Sequence, residues 1–188
     1  MIQKKPQMLT SKSLRFLHER KMGKITDLNV TGLEKAKFAA SLGDANEYIV
    51  TGLLIRLGFD ASVSVVKGQP YDLLVSAFKQ PKGESVSLRC QIKTVSRGSI
   101  RFIGGSRGGV NRHYIPGVKT YKYTTEHNDL VIGVNVQTLD LYLIPTRFIA
   151  KWGNSKAISK LQPLKNNWDI MLNWNDGFLT RLESNLPK

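Results

Sequence analysis

Asp72, the triplet Gln91-Ile92-Lys93 and Glu47 upstream of both are the residues of this chain best suited to chemistry. Cleaving a phosphodiester requires a Lewis acid on the phosphate, an activated water and neutralisation of a pentavalent transition state. Mg²⁺ serves such sites because it takes hard oxygen ligands and keeps several waters, so that one or two carboxylates suffice. Asp72 offers a carboxylate, Gln91 a neutral side-chain oxygen and Ile92 a backbone carbonyl. Glu47 can reach the same ion directly or through water, and Lys93 is placed to position an attacking water or help deprotonate it. The residue types alone leave a plainer reading open. Aspartate before a strand is a common turn residue, and Gln-x-Lys on a polar strand face is commonly just solvated. Glu47 is harder to set aside, because a carboxylate in an otherwise apolar helix is costly without a partner. Thr51, one turn on, shares its side of the helix.

The elements that must carry these groups follow from periodicity. Thr31-Gly32-Leu33-Glu34 has capping-box spacing, and a helical pattern runs from there to Leu57, stopped by Gly58, with Gly43-Asp44 as a candidate break. The stretch Asn46 to Leu57 is apolar nearly all round, as expected of a helix covered on both sides. Gly52 inside it suggests close packing against a neighbour. Strands are predicted over Phe59–Val66, Tyr71–Phe78 and Val86–Val95, with turns at Gly68-Gln69-Pro70 and from Lys79 to Ser85. In the third strand Val86, Leu88, Cys90 and Ile92 share one face, and Ser87, Arg89, Gln91 and Lys93 the other. Asp72 is expected to project at the sheet edge. A second hairpin is predicted over Leu130–Val136 and Leu139–Ile144 around Gln137-Thr138, then a short helix over Thr146–Trp152. The tail, with Trp152, Trp168 and Trp174, is expected to pack back on the core. The resulting division is a basic arm over residues 1–32, a core over 33–150 with an insertion at about 96–127, and a C-terminal extension over 151–188.

The chain has 188 residues, 41% of them hydrophobic, enough for one core that buries ~70% of the unfolded surface. Twenty-eight Lys and Arg against fourteen Asp and Glu give a net charge of +14, which points to a polyanionic partner. An anionic membrane surface would call for a basic amphipathic helix or a lipidation motif, and the longest apolar runs, such as Leu53 to Leu57, are too short to span a bilayer. The N-terminal residues show no signal-peptide pattern, and the lone Cys90 excludes an intrachain disulfide and a cysteine-rich zinc site. The expected location is therefore cytoplasmic, with the nucleoid. Cys90 reads as a core residue, and His18, His113 and His127 lack metal-binding spacing.

Basic and aromatic residues concentrate between the hairpins. Arg97, Arg101, Arg107, Arg112, Lys119 and Lys122, with Tyr114, Tyr121 and Tyr123, form a candidate DNA-contact surface. Arginine would specify through base edges, while lysine and tyrosine would position through phosphates. Gly104-Gly105-Ser106-Arg107-Gly108-Gly109 lacks the Lys-Ser or Lys-Thr of a nucleotide-binding loop, and reads as a segment that orders on DNA.

The order helix with Glu47, strand, Pro70-Tyr71-Asp72, turn, strand with Gln91-Ile92-Lys93 resembles the core of the PD-(D/E)XK nuclease superfamily over about residues 38–95. Gln91 stands where Asp or Glu is usual, a variant found in its group I intron homing endonuclease branch. The run Tyr121 to Pro145, with Asp129-Leu130-Val131 and Tyr142-Leu143-Ile144-Pro145, is similar to that branch as well. The resemblance implies an α/β restriction-endonuclease-like core, a mixed central sheet flanked by helices. It also implies a Mg²⁺-dependent endonuclease of double-stranded DNA, with Glu47, Asp72, Gln91 and Lys93 as its catalytic residues. Cutting both strands with one site per chain favours a homodimer or homotetramer. A restriction endonuclease, a Holliday-junction resolvase and a non-catalytic basic nucleic-acid-binding protein are the alternatives.

Overall fold

The computed structural model describes residues 29, 31–66, 69–79, 83, 85–105 and 120–187. The chain enters through one long helix, α1 (Lys35–Arg56), which runs unbroken through Gly43-Asp44. Its entry does not use the capping box, since Glu34 makes no side-chain cap bond. Asn29 instead holds Leu33 at both ends, its amide donating to the Leu33 carbonyl at 2.7 Å and its oxygen accepting from the Leu33 N–H at 2.8 Å. The exit is a Schellman turn. Gly58, at φ 90°, donates to the Ile55 carbonyl, and Phe59 donates to that of Leu54. That left-handed position is the reason a glycine ends this helix.

Five strands form the central sheet: β1 (Asp60–Val63), β2 (Leu73–Lys79), β3 (Ser85–Thr94), β7 (Leu130–Val134) and β8 (Leu141–Pro145), in the order β1-β2-β3-β7-β8. The first three make an antiparallel meander. β3 then pairs in parallel with β7, with Gln91 opposite Val131 and Lys93 opposite Gly133, and β7 turns back onto β8. The sheet is mixed and flanked by helices. The strands between β3 and β7 form two short ribbons, one of them with a strand from beyond β8. β4 (Ser99–Arg101) pairs with β9 (Ser155–Ala157), and β5 (Ile103–Gly104) with β6 (Tyr121–Lys122).

Alternation in β3 sends Leu88, Cys90 and Ile92 into the core with Leu73 and Val75 of β2 and with Val50 and Leu54 of α1. Every residue of β7 and β8 is buried. β8 lies at the end of the strand order, but Asn166 covers its edge. Asn166 accepts from the Leu141 N–H through its side chain and donates its own N–H to the Leu141 carbonyl, which removes an open ladder. A short helix α2 (Thr146–Ile149), a 3₁₀ segment (Ile158–Leu164), α3 (Asp169–Leu172) and α4 (Asp176–Ser184) complete the described fold, with Trp152, Trp168 and Trp174 packed against the core.

Three expectations about α1 are corrected. It is covered on one side, leaving Tyr48, Ile49 and Ile55 exposed. Gly52 is exposed too, and a Cβ added there would meet nothing within 4 Å, so close packing does not explain it. The break at Gly43 does not form, because helix-forming neighbours continue through it.

Candidate active site

Asp72 is fixed by backbone before its side chain does anything. Its N–H donates to the Cys90 carbonyl at 2.9 Å, its carbonyl accepts from Ser64 at 2.7 Å, and the chain enters β2 at the next residue. β2 lies between β1 and β3, so Asp72 sits at the end of an interior strand, not at the lateral edge expected from its turn. Just upstream, the side-chain amide of buried Asn128 donates to the Pro70 carbonyl at 3.2 Å while its oxygen accepts from the Thr146 hydroxyl at 2.6 Å. The loop carrying Asp72 is thus tied to the entry of β7 and the start of α2.

The Asp72 carboxylate accepts from the Ile92 N–H at 2.8 Å and from the Gln91 side-chain amide. Gln91 is itself buried, and its amide nitrogen also lies 3.4 Å from the Ile92 carbonyl. Burial is the largest influence on Asp72 and pushes its carboxyl above the ordinary value, with the charge of Asp44 acting in the same direction. The Ile92 bond, Lys93 and Gln91 pull the other way without reversing it. A carboxylate raised by desolvation gains from any cation brought to it.

Glu47, Asp72, Gln91, Ile92 and Lys93 all line one cleft of about 420 Å³, together with Asp44, Tyr121 and Tyr123. Glu47 comes from α1. Thr51, one turn on, donates its hydroxyl to the Glu47 backbone carbonyl at 2.8 Å and not to the carboxylate. α1 is held on β3 by Asn46, which is buried and donates to the Thr94 hydroxyl at 2.8 Å. Asp44, read from sequence as a helix breaker, stands three residues before Glu47 and faces the same cleft; that spacing on one helix face was the available signal.

Lys93 lies with its ammonium 5.0 Å from the centroid of the Tyr123 ring, within cation–π range. Tyr123 is buried, not part of an exposed contact surface, and meets Tyr121 edge to face at 5.9 Å. Gly104 makes this approach possible. A Cβ there would lie 2.8 Å from Tyr121 Cζ and 2.9 Å from Tyr123 Cε1. His127 is half-buried, its ring 4.5 Å from that of Tyr121.

Arg89, on the same face of β3, is structural. Arg89 donates to both Asp129 carboxylate oxygens, at 3.1 and 2.9 Å, and to the carbonyls of Glu126 and Thr125 at 2.8 and 2.7 Å. It fixes the loop that leads into β7.

The candidate DNA contacts separate. Arg97 is exposed at the tip of a two-residue turn, with φ 49° followed by φ 70° at Gly98, the left-handed pair of a tight hairpin. Arg101 is exposed on β4 and Tyr121 on β6. Lys122 is turned inward, its ammonium donating to the Ala150 carbonyl at 3.3 Å and to that of Trp152. It therefore closes off carbonyls after α2, as cations do at helix ends. Arg107, Arg112, Tyr114 and Lys119 lie outside the described residues, as do the arm over 1–28 and most of the glycine-rich loop.

The donor set suits a hard divalent ion: one desolvated carboxylate, a backbone carbonyl, a side-chain amide and a second carboxylate from α1. The Gln91 nitrogen now bridges Asp72 and the Ile92 carbonyl. Turning that amide over would replace a donor to two oxygens with a third oxygen facing them. Among the described residues no group of three or more His, Cys, Asp or Glu is placed to hold a metal ion. No described helix is long and apolar enough to cross a membrane.

The sheet order defines a mixed α/β core, and the cleft opens at the ends of its interior strands β2 and β3. Among solved structures the chain is similar to a bacterial homing endonuclease, I-Ssp6803I, with a TM-score of 0.51 at 13% identity over 74% of this chain and 95% of that one. Comparison of the sequence with protein-family models and with curated proteins gives no match.

Proposed function

We propose that this protein is a Mg²⁺-dependent, site-specific DNA endonuclease of the homing type, in the Gln-x-Lys branch of the PD-(D/E)XK superfamily. The observation that supports this reading best is the convergence of Asp72, Gln91, Ile92, Lys93 and Glu47 on one cleft, in a fold similar to that of a homing endonuclease. When bound, Mg²⁺ would supply Lewis acidity toward the scissile phosphate. Asp72, the Ile92 carbonyl, Gln91 and Glu47 would hold it. Lys93, held beside Tyr123, orients the attacking water and offers positive charge to the phosphate oxygens. Arg97, Arg101 and Tyr121 hold the duplex across the cleft mouth. Two or four copies assemble so that both strands meet a site.

The test is cleavage of supercoiled plasmid carrying the target, in Mg²⁺ and in EDTA, by the wild type and by Asp72→Ala and Lys93→Ala. Cleavage should require Mg²⁺ and vanish in both variants while DNA binding persists. A variant that cuts near the wild-type rate would falsify the site assignment. Light scattering of the free protein should give two or four times the chain mass.

A further inference from the structure

A second cleft, sharing no residue with the first, lies where the segment after α2 meets β9, the 3₁₀ segment and the end of α4. It encloses about 770 Å³ and is lined by Lys151, Lys156, Lys160, Trp152 and Glu183 among others. Three lysines from three consecutive pieces of backbone thus line it beside one carboxylate. That carboxylate is engaged by Lys151, at 2.9 Å. Lys156, opposite Ile100 across the β4–β9 ladder, is half-buried and lays its ammonium 4.1 Å from the centroid of the Trp152 ring. Burial first, and then the neighbouring Lys160 ammonium, hold its pKa below the ordinary lysine value.

Like charges gathered in a partly desolvated cleft raise one another's energy, and an anion placed between them relieves it. The ring beneath Lys156 limits where that charge can go. The cleft also shares a framework with the candidate active site. β9 pairs with β4, one tight turn beyond β3. Lys122 of β6 bonds the Ala150 and Trp152 carbonyls, and the next residue but one before it, Thr120, leads into the Tyr121 that lines the first cleft.

We propose that Lys151, Lys156 and Lys160 form a second phosphate-binding surface that takes the backbone of duplex DNA outside the cleavage cleft. This rests on the reading of the protein as a DNA endonuclease and deepens it. A chain held at two clefts on one framework covers more duplex than the active-site mouth alone. It gains affinity that is independent of sequence and falls with salt.

The experiment uses the full chain and a fluorescent random-sequence duplex, with affinity measured across a salt series. Lysine acetylation is mapped in parallel by mass spectrometry, with and without the duplex. The variant is Lys156→Gln with Lys160→Gln, which keeps most of each aliphatic stem. Lys156→Arg with Lys160→Arg, which keeps the charge, serves as its partner. Each lost phosphate contact lowers the salt slope by about 0.9, so the glutamine pair should lose roughly 1.8. The arginine pair should retain the wild-type slope, and DNA should protect Lys156 and Lys160 from acetylation. Wild-type protein that binds the duplex while both lysines label at an unchanged rate, or a glutamine pair with the wild-type slope, overturns the second surface and leaves the nuclease reading standing. Wild-type protein with no salt-dependent DNA binding overturns both.

Discussion

Gly133 offers a quantitative test of how the sheet supports Lys93. It lies in β7, opposite Lys93 on one side and Tyr142 on the other. A Cβ added at this position would fall 2.2 Å from Ile100 Cδ1 and 3.0 Å from its Cγ1. Ile100 is fully buried, so its side chain has no solvent to swing into and must repack. Overpacking of this kind costs about 1–3 kcal/mol, while replacing glycine in a strand interior returns about 0.5–1 kcal/mol of backbone entropy. The packing cost wins, and Gly133→Ala should lose on the order of 1–2 kcal/mol. Ile100→Val removes the atom in closest conflict and alone costs about 0.5–1.5 kcal/mol through the space it leaves. In the double variant the alanine methyl enters that space. The two losses should then fall short of their sum by about 1 kcal/mol or more, the signature of residues in direct contact. Urea unfolding of the four proteins gives the cycle, provided the m-value stays constant. Losses that add to within about 0.3–0.5 kcal/mol would refute the claim that Ile100 fills the space left by Gly133. Cleavage should follow stability here, lowered in Gly133→Ala and recovered in the double variant, because Gly133 is the ladder partner of Lys93.

Two further outcomes follow from the site's electrostatics. Asp72 has a folded-state pKa raised chiefly by burial, so the folded chain binds that proton more tightly than the unfolded chain. Stability from this group is therefore fully present below the unfolded pKa and is lost as pH rises from there through the folded pKa. Asp72→Asn, which can still accept from the Ile92 N–H, should melt higher than the wild type at neutral pH without metal. The gap should close as pH falls through the folded value of Asp72, and a lower melting temperature at neutral pH would contradict it. Tyr123→Phe keeps the ring under Lys93 and should leave cleavage and its pH profile near wild type. Tyr123→Leu removes the ring and should lower the rate by roughly tenfold, the equivalent of about 1.4 kcal/mol, and shift the profile; equal behaviour of the two variants would show that the ring does not hold Lys93.

The parts of the fold legible in the sequence are those set by local periodicity. Alternation in β3 divides Cys90 and Ile92 from Gln91 and Lys93, and Gly58 announces its helix end because few residues tolerate a left-handed backbone. What brings these elements together was not legible. The parallel pairing of β3 with β7 crosses the whole segment from Val95 to Asp129 and leaves no short-range pattern. The structural roles of Asn128 and Asp129 leave no local signal, because their partners, Pro70 and Arg89, are remote in the chain. The bonds of Lys122 to the Ala150 and Trp152 carbonyls span some thirty residues and leave no local pattern either. Nor did composition separate the lysines at 151, 156 and 160 from a generic basic tail, since only the β4–β9 pairing sets them around one cleft. Within the candidate site, Asp44 and Gly104 were overlooked for the same reason: their meaning lies in what faces them.

The neutral residue at position 91 has a physical consequence of its own. Asp72 is already raised by burial and by Asp44, and Gln91 is one of the few groups that lowers it. A carboxylate at 91 would set a second desolvated negative charge against Asp72 and remove the amide that now bridges Asp72 and the Ile92 carbonyl. Such a pair would bind a divalent ion more strongly but would be destabilised whenever the ion left. Glutamine shifts that balance. Its nitrogen bonds the Asp72 carboxylate and the Ile92 carbonyl, and on the proposed reading a rotation of the same amide would present an oxygen to a cation. On the proposed reading, a neutral residue at 91 would exchange metal affinity for a site that keeps its arrangement unaided.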